Sequence, residues 1–275
     1  MAGWTTSRAA GLHPRQALFR PGGTRMQAPV ELAMLSTAVF LGGLVSGFSG
    51  FAFSAAAGAI LLHVFEPIAA IPLMMFCSIA SQSMSLVKVY RLIRWRELAP
   101  LWIGGMVGAM VAVPLMATVH PHSFRIAFGV FLAGYALYML TRHLLIRRPL
   151  TPAAGAASVP ALSVVGLAAG ALGSLTAMPG ALMVVWCELR GLSKESQRAL
   201  VQPFIIAVQI FAIGLYCLQP HAIGFELFRH LALALPAVGL GTFIGMSMFS
   251  KVNDQVFRCS ALIIILASGC LMVFA

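Results

Sequence analysis

Apolar runs of about the 20 residues that a helix needs to cross hydrocarbon recur along this chain, separated by short connections that hold most of its charge. Inside a bilayer every backbone N–H and C=O must be paired within the protein, which leaves only helices and closed barrels. A barrel would show short alternating segments instead of long continuous runs. The runs therefore predict an all-α integral membrane protein that crosses the bilayer many times. Composition agrees, because 60% of residues are hydrophobic and only 9% charged, against roughly a quarter charged in a soluble domain. Eight transmembrane helices are expected, over 30–62, 67–90, 98–118, 124–146, 160–188, 198–218, 228–249 and 255–274.

The net charge of +11 does not point to nucleic acid, since the 18 Lys and Arg residues sit mostly between apolar runs, where basic loops face the cytoplasm. The expected environment is membrane lipid. The five cysteines form no CxxC pair and lie in or beside apolar runs, so they are read as small buried hydrophobes. Residues 1–29 carry four arginines and no apolar run before Met26. They are read as a disordered basic cytoplasmic tail, or as an extension upstream of a true start at Met26.

The chain divides into a first membrane repeat over 30–146, a Pro/Ala/Gly-rich linker over 147–159 and a second membrane repeat over 160–275. GLVSGFSG at 43–50 has glycines at the same three positions as GLAAGALG at 166–173. Gly58-Ala59 answers Gly180-Ala181, Gly104 and Gly108 answer Gly241 and Gly245, and Phe124-Arg125 answers Phe257-Arg258. Matches in the same order predict two homologous four-helix repeats.

Eight crossings with the N-terminus inside put 12 basic residues inside and 6 outside. The first half agrees with that orientation, whereas Arg190, Lys194, Arg198, Lys251 and Arg258 of the second half oppose it. Either the repeats are inverted and one long element is miscounted as a single crossing, or these residues line an entrance for an anion. Early loops usually dominate topology, and the expectation is an N-terminus inside.

The first element of each repeat is long, apolar and interrupted by glycine. Small residues at every fourth position let helices approach closely, and Gly43/Gly47, Gly104/Gly108 and Gly166/Gly170 are such pairs. These two elements also hold polar groups: Ser46, Ser49 and Ser54 in one, Ser174 and Thr176 in the other, followed by Pro179. Discontinuous helices free backbone N–H groups, and half-helix N-termini attract anions. The predicted midplane site comprises Ser46, Gly47, Ser49, Gly50, Ser54, Gly170, Gly173, Ser174, Thr176, Pro179 and Gly180.

GLVSGFSGFAF at 43–53, GALGSLTAMPGAL at 170–182 and GLSKESQRALVQPF at 191–204 resemble motifs of the TauE/SafE family of sulfite and organosulfonate exporters. The resemblance covers roughly residues 30–275. It implies a four-plus-four helix duplication, transport of a small anionic substrate such as sulfite or an organosulfonate, and a bacterial inner membrane. Where relatives often carry a triple glycine and a proline, this chain reads AFSAAAGA, with Ala52, Phe53, Ser54 and Gly58. That departure predicts a less broken first segment.

Ser78, Ser81, Gln82 and Ser85 lie at helical spacing, and Gln202 and Gln209 share a face seven residues apart. Both stripes are candidate path linings. Arg190, Lys194 and Arg198 form a basic cluster able to recruit an anion. None of the seven acids sits at the centre of a span, so His63, Glu66 and Glu188, near equivalent ends of the long elements, are the candidates for proton coupling. No HExxH, GxSxG or paired intramembrane aspartate occurs. No enzyme activity, cofactor or metal site is expected. The alternative readings are a non-transporting assembly or sensor subunit and a membrane-embedded enzyme.

Overall fold

The computed structural model describes residues 28–116, 118, 120–145, 158–219 and 224–249, together with scattered positions from 262 to 273. The tail, the linker and most of the expected eighth helix lie outside these residues. Every element among the described residues is helical: α1 (Ala28–Ser49), α2 (Phe53–Val64), α3 (Pro67–Leu86), α4 (Trp95–Met116), α5 (Pro121–Leu145), α6 (Val159–Thr176), α7 (Gly180–Leu189), α8 (Lys194–Cys217) and α9 (Phe225–Phe249), with one 3-10 turn at Tyr90–Leu92. Seven of these are long and apolar enough to cross a membrane. The protein is a multi-pass, all-helical membrane protein.

Local chemistry sets the ends. Pro67 opens α3 at a position whose N–H would be unpaired in any case. Ser193 caps α8 by accepting the Ser196 N–H at 3.3 Å.

The glycine-broken elements expected as single crossings over 30–62 and 160–188 are each two helices. α2 has 12 residues and α7 has 10, and at 1.5 Å per residue neither spans hydrocarbon. Both double back. A methyl at Gly42 in α1 would lie 2.9 Å from Ala57 Cβ in α2, an approach that a continuous helix forbids for residues fifteen apart. The α2 end brings Phe65 to 5.1 Å from His230 at the start of α9. The α7 end brings Arg190 to 3.7 Å from Glu97 at the start of α4. The first segment is therefore fully interrupted, against the expectation of a less broken one drawn from Ala52, Phe53, Ser54 and Gly58.

Two close-packed pairs frame the molecule. In the pair α1–α9, methyls at Gly43 and Gly47 would strike the carbonyls of Val238 and Thr242, and methyls at Gly241 and Gly245 those of Phe40 and Leu44. In α4–α6, methyls at Gly104 and Gly108 would strike the carbonyls of Ser163 and Leu167, and methyls at Gly166 and Gly170 those of Leu101 and Gly105. Residue numbers rise together in each list, so the helices of each pair run parallel. Backbones this close gain dispersion over their whole length, the main adhesive between helices where lipid removes the hydrophobic drive. Each pair takes one helix from each half of the chain, so neither half forms a separate bundle.

Candidate functional site

The α1–α2 and α6–α7 breaks meet inside the protein. Ser54 in the first turn of α2 donates to the carbonyl of Ala177 at 2.6 Å, across 123 residues of sequence. A methyl at Gly180, the first residue of α7, would lie 2.9 Å from Phe51 Cβ. Two half-helix N-termini, whose first N–H groups have no partner within their own helix, thus share one buried region.

The two turns are built alike. Ser49 Oγ donates to the Val45 carbonyl at 2.8 Å and accepts from the N–H groups of Phe51 and Ala52 at 3.5 and 3.3 Å. Thr176 Oγ1 donates to the Leu172 carbonyl at 2.8 Å and accepts from the Met178 N–H at 3.3 Å. Both hydroxyls tie the turn to the helix that precedes it. Gly50 ends α1 with φ +87°, a left-handed conformation that glycine adopts without steric cost. Ala177 ends α6 with φ +55°, where its Cβ carries a penalty of roughly 1 kcal/mol. Two donors hold its carbonyl, Ser54 Oγ and Gln209 Nε2, the latter at 3.0 Å.

A polar chain lies on the α1 side. Thr242 Oγ1 donates to Ser81 Oγ at 2.9 Å, Ser81 Oγ donates to Ser46 Oγ at 2.9 Å, and Gln82 Nε2 donates to Ser46 Oγ at 3.1 Å. Ser78, Ser81, Gln82 and Ser85 are all buried, so the stripe on α3 faces the interior. On the other side Tyr216 Oη donates to the Ser174 carbonyl at 2.9 Å. Several buried polar atoms have no hydrogen-bond partner among the described residues: Gln82 Oε1, Ser85 Oγ, Ser174 Oγ, Gln209 Oε1 and both amide atoms of Gln202. Buried polar atoms ordinarily find partners, so each open one is a place where water or a ligand can bind.

The remaining expected residues fall outside this cluster or serve packing. Gly47 and Gly170 press on the Thr242 and Gly105 carbonyls, and Gly173 on Pro179 within its own turn. Arg198 donates to the Phe48 carbonyl at the C-terminus of α1, a favourable place for a cation. Arg190 stacks on Trp186 at 5.9 Å besides pairing with Glu97. Lys194 begins α8 and Glu188 lies near the end of α7, and the side chains of both are outside what is described. His63 and Glu66 are exposed near the end of α2, with His63 Nδ1 bonded to the Ala59 carbonyl at 2.7 Å. Sequence reasoning missed Thr242 and Tyr216. Thr242 was signalled by its place beside Gly241 in the repeated glycine motif. Tyr216 carried no signal beyond a polar tip in an apolar run.

Two discontinuous elements thus meet around buried, uncharged polar groups in a polytopic, many-helix membrane protein. Residues 35–272 match the family described as sulfite exporter TauE/SafE. The match spans nearly the whole chain, and the protein belongs to that family. No curated protein and no solved structure matches the chain.

Proposed function

We propose that the protein is a secondary transporter that exports a small anion, such as sulfite or an organosulfonate, across a bacterial inner membrane. The anion binds where the two breaks meet. The observation that carries this reading is the Ser54–Ala177 contact, which joins the N-termini of α2 and α7 in one buried region. Helix N-termini favour anions through unpaired N–H groups and the aligned peptide dipoles. Ser174 supplies a hydroxyl without a hydrogen-bond partner among the described residues, and Gln202 an amide that can donate. Ser46, Ser54 and Gln209 set the shape of the site. Neutral donors suit a ligand that must also leave, and the halves rock around it as inverted repeats of one another.

The residues named in the site do not hold equivalent posts in this reading. Ser49 and Thr176 fix the turns and present the N–H groups, whereas Ser174 and Gln202 face the ligand. Saturable flux of one labelled anion among sulfite, sulfoacetate and sulfate is expected in proteoliposomes. Gln202→Leu should lower that flux ~10-fold, the equivalent of losing one hydrogen bond to a charged group. Folded protein that moves none of the three would overturn the proposal.

A further inference from the structure

The geometry points to an N-terminus on the side opposite to the one counted from the sequence: the face on which α1 ends and α4 begins is cytoplasmic, and α1 begins on the other. Helix directions follow from the contacts. α1 and α9 are parallel, as are α4 and α6, by the order of their glycine contacts. α8 runs with α4, because Trp102 meets Pro203 and Gln219 meets Val113. α8 runs against α1, because Arg198 near its start reaches Phe48 at the end of α1, while Gln209 reaches the turn beside Ser54 in the returning α2. α3 runs with α1 and α9 through Ser46, Ser81 and Thr242, and through Phe76 and Phe228. α5 follows α4 after a short connection and runs back against it.

All the described basic residues can then be assigned to a face. The C-terminal ends of α1, α3 and α5, the N-terminal ends of α4 and α8, and the returning end of α7 share one face. It carries Lys88, Arg91, Arg94, Arg96, Arg142, Arg190, Lys194 and Arg198. The opposite face carries Arg125 near the start of α5 and Arg229 near the start of α9. In sequence, Arg147 and Arg148 follow the basic end of α5, and Lys251 follows that of α9. An asymmetry of this size is the mark of a cytoplasmic face. The conflict between the two halves of the sequence disappears, because it arose from counting 30–62 and 160–188 as one crossing each. Each is a crossing plus a return. The first return moves the loops of the first half to the other side relative to the start of the chain. The second leaves the loops after α7 where the count had them, so the basic loops of both halves share one face. Besides Arg125 and Arg229, the four arginines before Met26 weigh the other way, since α1 begins on the face opposite to the basic one.

The orientation stands without the transport reading. Together with that reading it assigns the cluster of Arg190, Lys194 and Arg198 to the cytoplasmic mouth, where it would gather the anion to be exported.

The test is labelling of single cysteines in full-length protein in bacterial spheroplasts, with Cys217, Cys259 and Cys270 changed to Ser. Cys77 and Cys187 are buried. Tyr90→Cys on the basic face and Phe225→Cys on the other replace exposed residues. A membrane-impermeant maleimide is expected to label Phe225→Cys in intact spheroplasts and Tyr90→Cys only after lysis. The reverse pattern overturns the orientation, and labelling of both before lysis overturns a single orientation. If both wait for lysis, the assignment of these ends to opposite faces fails. Deleting residues 1–25 should leave the expected pattern unchanged. A pattern that appears only after that deletion means the tail overrides the loops, and the proposal falls for the intact chain. Because labelling needs no flux, this result is separate from any failure to transport.

Discussion

The two broken segments are the same device set one helical turn apart. Their packing surfaces correspond at a spacing of 123 residues: Gly43 and Gly47 on α9 match Gly166 and Gly170 on α4. Their turns correspond at 127: Ser49 matches Thr176, Val45 matches Leu172, and Gly50 matches Ala177 in the left-handed conformation. The glutamines follow the second spacing, since Gln82 and Gln209 each use Nε2 in a bond and leave Oε1 without a partner among the described residues. α6 thus continues one turn further than α1 past the point where it is clamped. Packing fixes where a membrane helix sits, and a hydroxyl and a left-handed residue fix where it stops. The two requirements are separable.

The largest effect should come from the shared part of the device. Gly47→Leu and Gly170→Leu each drive a side chain into a carbonyl of a parallel partner that cannot retreat. Loss of folded, monodisperse protein in detergent is expected from both. A normal melting temperature for either would show that the pairs are looser than their geometry. These glycines are then packing residues first, as small-residue spacing in a membrane implies.

The turns should differ in sign. Gly50→Ala puts a Cβ at φ +87°, within 3.0 Å of Arg198 Nε, and should destabilise by at least about 1 kcal/mol. Ala177→Gly relieves that same strain at φ +55° and should raise the melting temperature slightly, the gain set against added freedom of the unfolded chain. If both changes move stability in the same direction, left-handed strain is not what distinguishes the turns.

Ser49→Ala and Thr176→Val remove matching hydroxyls, and each should cost about 1 kcal/mol. Equal losses would confirm that the turns are equivalent, whereas a large loss at one would break the comparison at that position. The smallest effect belongs to Arg94→Gln. The exposed Arg94–Glu97 pair, at 3.2 Å, should contribute well under about 1 kcal/mol to thermal stability.

Membrane residence was legible from the length and apolarity of the runs, because hydrocarbon dictates both. Family membership and the discontinuity of two segments were legible from GLVSGFSG and GALGSLTAMPGAL, since small and polar residues in so apolar a setting need a structural reason. The inward stripe of Ser78, Ser81, Gln82 and Ser85 followed from helical spacing and is buried as that spacing requires. The glycine alignment itself was informative but led past the second turn. It equated Gly50 with Gly173, which lies inside α6 against Pro179, while the left-handed residue is Ala177.

What the sequence determined by itself was therefore local: which segments are apolar, where helices are weak, and which residues lie on one face. Only the tertiary structure decided that α2 and α7 double back, that each half packs its first helix against the other half's fourth, and that Thr242, Ser81 and Ser46 form one polar chain. The physical reason is that a broken helix can continue across the bilayer or return at almost the same local cost. The choice rests on contacts between residues more than a hundred positions apart, such as Ser54 with Ala177. No window of sequence contains both partners of such a contact.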